Sequence, residues 1–425
     1  MYETPLTGLV LSGGGARAAY QVGVLRAIAR LRREVLDPRE RQRNPFGIIV
    51  GTSAGAINAA ALACHADRFE AAIEVLARVW DGFRAEQIYR ADSLGVIRSG
   101  AQWLTMLSLG WVIARWRRLR PRSLLDNEPL HGLLQHMVPV DRLPLVFARR
   151  QLHALAVTAS SYTSGQHVTF FDAGAPLDSW VRSQRRAVRS SITHAHLLAS
   201  SAIPFVFPAA RIGREHDAAW YGDGSMRQTA PLSPAIHLGA QRLLIIGAGR
   251  MHEPPGERST HEGYPSLAQI AGHAMANIFL DALAVDVERM QRINRTLALL
   301  PDDIRQDTPL RPMESLVIAP SQRLDDIAAR HLHCLPAPVR TLLRGVGVGN
   351  SASDARGGSA LASYLLFECP YTRELMTLGE ADVQARRDEV LQFFAWGRST
   401  RAMPAATTTT TATTTTGSAL DLELP

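Results

Sequence analysis

The chain has 425 residues, 46% hydrophobic and 20% charged, a balance that argues against a disordered chain and a multi-span membrane protein and leaves room for one large domain or two. Its formal charge of +7 is carried by arginine without a single lysine, so coding bias explains the basic pI, and no nucleic-acid motif accompanies it. An anionic membrane surface remains a fitting partner for scattered arginine.

Residues 7–12 (TGLVLS) form a short apolar run that meets Gly13, Gly14 and Gly15, and residues 17–30 follow with helical periodicity. Residues 46–50 (FGIIV) read as a second buried strand, 51–55 as a tight turn, and 56–64 as an alanine-rich helix. Two strand-turn-helix units in succession predict an α/β sheet with largely parallel strands. Further strands are expected at 152–159, 168–171, 218–221 and 242–246, with a short helix at 231–238. The catalytic-type core is therefore expected to span residues 1–250, and 251–400 to be a helical extension with one added strand at 315–319 and a helical block at 357–396. Residues 401–425 carry a threonine-rich tract that cannot build a core, and are expected to be a disordered tail.

Three cysteines, Cys64, Cys334 and Cys369, lie far apart without metal-ligand spacing, which suits a reducing compartment better than a disulfide framework. The first residues lack a basic stretch followed by a long apolar one, so no cleaved secretory signal is expected. The expected location is cytoplasmic, peripheral at the inner membrane surface. A specialised secretion route stays open.

Three constellations carry chemistry. Gly51-Thr52-Ser53-Ala54-Gly55 is a G-x-S-x-G turn between a predicted strand and a predicted helix, where a nucleophile elbow needs small residues two before and two after its serine. Gly13 to Arg17, again between strand and helix, could present backbone N–H groups to a developing oxyanion. The same run also fits a dinucleotide-binding G-x-G-x-x-A through Gly13, Gly15 and Ala18, although that reading needs a second strand about twenty residues on, where the sequence is LRREVLDPRERQ. Taken alone, the glycines leave both readings open. Asp223 in Gly222-Asp223-Gly224-Ser225 is by itself an ordinary turn dipeptide, yet its place after a predicted strand makes it a candidate proton acceptor.

In this order, at these boundaries, the three motifs resemble those of the patatin-like phospholipases, specifically a bacterial branch. Gly13 to Arg17 match the family's G-G-G-x-R/K-G segment, Gly51 to Gly55 its elbow, and Asp223-Gly224 its D-G-G/A motif. Ala18 and Ser225 depart from it, each by a small residue. Residues 199–208 (ASSAIPFVFP), 231–239, 279–294 and 363–368 extend the likeness. The resemblance implies a three-layer α/β/α sandwich with a mainly parallel sheet and C-terminal helical additions. It also implies a lipid acyl hydrolase of phospholipase A or lysophospholipase type, with Ser53 as nucleophile and Asp223 as base. Gly13, Gly14, Gly15, Ala16 and Arg17 would supply the oxyanion hole, with Gly51, Gly55 and Gly224 in support. No metal or organic cofactor is implied; the partners are an acyl lipid and a membrane surface, not nucleic acid.

Competing readings keep their candidates. A Ser-His-Asp esterase or thioesterase would take its base from His237, His252, His261 or His273, none in a recognisable motif. His194 and His196 lack a third metal ligand nearby in sequence. A non-catalytic lipid- or phosphate-binding scaffold is the remaining class. Residues 103–116 (WLTMLSLGWVIARW), followed by Arg117, Arg118, Arg120 and Arg122, are too short to span a membrane, so segment 92–122 reads as a lid or membrane-contacting helix, or as a buried one. Arg17 has two further uses, binding a substrate phosphate through its guanidinium or pairing with a carboxylate on its own helix.

Overall fold

The computed structural model describes residues 5–90, 123–213, 217–251, 270, 272–274, 277, 282–345 and 352–396. The lid candidate at 92–122, the threonine-rich tail, His252 and His261 lie outside them.

Strand β1 (Thr7–Leu11) leads through a one-turn helix at Gly15–Ala18 into α1 (Ala19–Val35). Strand β2 (Ile48–Thr52) leads into α2 (Ala54–Cys64), and α3 (Phe69–Asp81) follows. After α4 (Glu128–Met137) and α5 (Leu143–Ala148) come β3 (Ala154–Ser161), β4 (His167–Ala173), β5 (Val181–Arg182) and β6 (Arg185–Arg189). Next are α6 (His194–Ser200), β7 (Ala210–Ile212), β8 (Ala219–Asp223), α7 (Ser233–His237) and β9 (Arg242–Ile246). The chain continues with α8 (Ala282–Ala298), α9 (Asp302–Asp307), β10 (Glu314–Ile318), α10 (Leu324–His331), α11 (Ala337–Gly345), α12 (Ala352–Leu365), α13 (Cys369–Ala385) and α14 (Arg387–Phe394).

Among the described residues ten strands join one sheet, ordered β10-β9-β1-β2-β3-β4-β6-β5, with β8 pairing both β3 and β7. The central pairs β10–β9, β9–β1, β1–β2 and β2–β3 are parallel, while β4 and β8 run antiparallel to β3. Alternation along the buried strands makes the layers. Leu9, Leu11, Ile49, Leu155 and Leu244 enter a core with α1, α2, α3 and α13, whereas Val10, Ile48, Val50, Ala156 and Ile245 enter a second core with α7 and α8. The protein is thus an α/β/α sandwich around a mainly parallel sheet.

The region after β9 is built into this frame. β10 extends the sheet, and α13 crosses α1 so closely that a Cβ on Gly23 would strike the Met376 backbone and one on Gly379 the Tyr20 carbonyl. Tyr20 Oη donates to Asp382 Oδ2 (2.8 Å) at the same crossing. The helical block expected at 357–396 divides into α12, α13 and α14. Pro370, at the start of α13, is tolerated in a first turn and not inside a helix, so one continuous helix is excluded. No described helix is long and apolar enough to cross a membrane.

Candidate active site

The site is assembled at the carboxyl ends of adjacent strands, where open α/β sheets leave a crevice. The turn expected over 51–55 is far tighter. β2 runs through Thr52, α2 starts at Ala54, and Ser53 alone makes the corner, with φ 56° and ψ −130°. That backbone is strained for a residue with a side chain, as an elbow nucleophile demands. The flanking glycines have a steric cause: a Cβ on Gly51 would meet Gly55 and Ala56, and one on Gly55 would meet the Leu11 and Ser12 carbonyls.

Register then brings Asp223 to Ser53. β2 and β3 pair Thr52 with Thr158, and β3 and β8 pair Ala159 with Asp223, so the last residue of β8 stands one step along from the elbow. Ser53 Oγ donates to Asp223 Oδ2 at 2.6 Å, and Asp223 Oδ1 accepts from the Ser225 N–H at 2.9 Å. The aspartate is fully buried. Burial pushes its pKa up to about 6, against the opposing pull of hydrogen bonds from Ser53 and Ser225. Gly224 has no room for a side chain, because a Cβ there would run into Thr158.

Supporting bonds that sequence reading passed over hold this pair. The Ser53 N–H donates to Ser200 Oγ (2.9 Å), at the end of α6. Thr52 Oγ1 accepts from Gln228 Nε2 (2.8 Å) and shares a 2.8 Å hydrogen bond with Thr158 Oγ1. Ser200 lies inside the stretch 199–208 that the sequence marks out, so its neighbourhood was visible and its role was not.

The glycine segment lies beside the elbow, and Gly15, with φ 54°, lines the same cleft as Ser53. Among the described residues, the N–H groups of Gly13, Gly14, Gly15 and Ala16 have no backbone acceptor, whereas that of Arg17 donates to the Gly14 carbonyl (3.1 Å). Arg17 is therefore corrected on two counts: its N–H is already engaged, and its guanidinium meets neither solvent nor a carboxylate of its own helix. The side chain is 2% exposed, pairs with Asp325 of α10, donates through Nε to Ser363 Oγ (2.8 Å), and lies 4.1 Å over the Tyr364 ring. The dinucleotide reading meets a different obstacle, since the stretch where it needs a second strand is the end of α1 and a loop.

The histidines proposed for a triad find other surroundings. His237 Nδ1 faces the Ser233 carbonyl and its ring stacks on Trp180, and His273 is exposed. His194 Nε2 faces the Val138 carbonyl, while His196 Nδ1 accepts from the Thr193 N–H, so the pair points to separate partners. His167, which the sequence did not single out, reaches the backbone of Gly224. Burial there lowers its pKa to about 4, leaving it neutral at pH 7.

The sequence profile of the patatin-like phospholipases matches residues 9–236, more than half of the chain. No curated protein sequence matches it. Among solved structures, VipD from Legionella pneumophila is 14% identical, with a TM-score of 0.31 over 88% of this chain and 67% of VipD. The type III effector ExoU is 15% identical, with a TM-score of 0.26 over 94% of this chain and 90% of that one. ExoU of Pseudomonas aeruginosa in complex with SpcU gives 16% and 0.24 over 88% and 70%. The profile match spans the elbow, the glycine segment and the Asp223 turn together, and by it the chain belongs to the patatin-like phospholipase family.

Proposed function

We propose that the protein is a serine acyl hydrolase that releases fatty acid from glycerophospholipids or related acyl lipids through a Ser53–Asp223 dyad. The observation that carries this reading is the 2.6 Å hydrogen bond from Ser53 Oγ, on a strained elbow, to a buried carboxylate. Asp223 Oδ2 takes the hydroxyl proton as Ser53 Oγ bonds to the ester carbonyl carbon. Free N–H groups of Gly14, Gly15 and their neighbours, with the positive end of α2, stabilise the oxyanion. Collapse expels the alcohol, which leaves with the proton from Asp223, and an acyl ester remains on Ser53. Water then gives a proton to Asp223 and attacks that ester; the proton returns to Ser53 as the fatty acid departs. An aspartate with a pKa of about 6 is a better base near neutral pH than an ordinary one. An apolar cleft opening on Ser53 supports a hydrocarbon substrate.

A fluorophosphonate probe tests the nucleophile directly. Labelling is expected on a single peptide containing Ser53 and is expected to vanish in Ser53→Ala. Folded wild-type protein that takes no label, or takes it elsewhere, removes Ser53 from the mechanism.

A further inference from the structure

We propose that Trp80, backed by Phe83 and Phe367, is the end stop of the acyl channel and sets which chain lengths the Ser53 site accepts. The proposal rests on the reading of Ser53 as the nucleophile. The cleft is lined by Ser53 and Gly15, by Ala54 and Ile57 of α2, and by the rings of Trp80, Phe83 and Phe367. A hydrogen bond fixes how far along α2 the indole stands from Ser53. The Trp80 indole N–H donates to Asn58 Oδ1 (2.9 Å), and Asn58 lies five residues along α2 from Ser53, about 7.5 Å at the rise of an α-helix.

The stop is held from several sides. Asn58 Nδ2 donates to the Ala18 carbonyl and to Gln21 Oε1, each at 3.2 Å, so its amide is fixed with its oxygen towards the indole. The Trp80 ring meets Phe83 edge to face at 4.7 Å, and Phe83 meets Phe367 at 6.1 Å. Thr372 Oγ1 donates to the Trp80 carbonyl at 2.7 Å, tying the end of α3 to α13. Swinging the indole aside would leave its N–H and the Asn58 oxygen buried without partners. The wall therefore does not yield to a longer chain. Leu130, Leu133 and Met137 of α4 close another side, and no charged side chain lines the cleft among the described residues. Such a channel takes hydrocarbon and leaves the polar head group outside. The substrate class it fits is a lipid or ester with a medium-length acyl chain.

The test uses the full chain and p-nitrophenyl butyrate, octanoate and palmitate in mixed micelles. Wild type is expected to prefer octanoate over palmitate in kcat/KM by about tenfold or more, in the range by which apolar pockets discriminate chain size. Trp80→Ala is expected to raise the palmitate-to-octanoate ratio by about tenfold. Ile57→Phe, which narrows the channel before the stop, is expected to lower the octanoate-to-butyrate ratio and provides the test if Trp80→Ala does not fold. Active wild type whose chain-length profile survives unchanged in the folded variants overturns the end stop alone. Wild type inert towards all three esters and towards the fluorophosphonate probe overturns the hydrolase reading beneath it.

Discussion

Asp223→Asn is expected to lower kcat for ester hydrolysis by roughly 10²–10⁴-fold, the usual loss when a general base is removed, while making the protein more stable. An amide cannot take the Ser53 proton, yet its oxygen can still accept from the Ser225 N–H as Asp223 Oδ1 does. The stability gain follows from linkage. The folded-state pKa of about 6 lies above the ordinary value of 3.8, so the folded protein holds this proton more tightly than the unfolded chain. The native state is then least penalised below pH 4, and the penalty for the buried charge grows as pH rises through about 6. A shift of this size is worth on the order of 2–3 kcal/mol above that point. Thermal melts of wild type and Asp223→Asn are thus expected to agree near pH 4 and to separate at pH 8, with the variant higher. Wild-type activity is expected to fall as pH drops below about 6. Undiminished activity of Asp223→Asn at pH 8 would return the search for a base to other groups.

Arg17→Met is expected to destabilise the protein by about 1.5–3 kcal/mol, the range for losing hydrogen bonds to a charged group, since the Asp325 left behind is only partly buried. Two elements lose their common donor, since the guanidinium serves Asp325 on α10 and Ser363 on α12 while covering the Tyr364 ring. Arg17→Lys keeps a charge but not the planar fork, so it is expected to recover only part of the loss. Adding Asp325→Leu to Arg17→Met is expected to cost less than the two changes summed, because the pair is removed together. Urea midpoints of both Arg17 variants, of Asp325→Leu and of the double variant measure these effects. A substrate-phosphate role gives the opposite pattern, with intact midpoints and a raised KM for phospholipid, and that result would sink the structural role.

How much of this was legible in the sequence depended on how local the cause is. The apolar strands Thr7–Leu11 and Arg242–Ile246, buried on both faces, announce themselves by composition. The elbow does too, because the clashes that require Gly51 and Gly55 arise within one strand-to-helix corner and its neighbouring strand. Arg185–Arg189 hides as a strand, since three arginines in five residues at the sheet's far side look like solvated loop. Asp223 needed the register of β3 and β8, which no local pattern encodes. Arg17 shows the limit most clearly: its motif position suggested a ligand for phosphate, and its partner is 308 residues away. Ser200, a small residue in a run of small residues, gives no sign that it holds the Ser53 N–H.

The crossing of α1 and α13 also sets an order on synthesis. Gly23 and Gly379 are placed for backbone contact between the two helices, and the carbonyl of Tyr364 abuts Gly15, so the glycine segment has its back wall only after Tyr364, and α1 its cover only after Gly379, has left the ribosome. Until then α1 has an unpaired face, and the strained corner at Ser53 lacks part of the packing that holds its neighbours. A nascent chain that already carries every family motif thus still lacks the helices that back its glycine segment and cover α1.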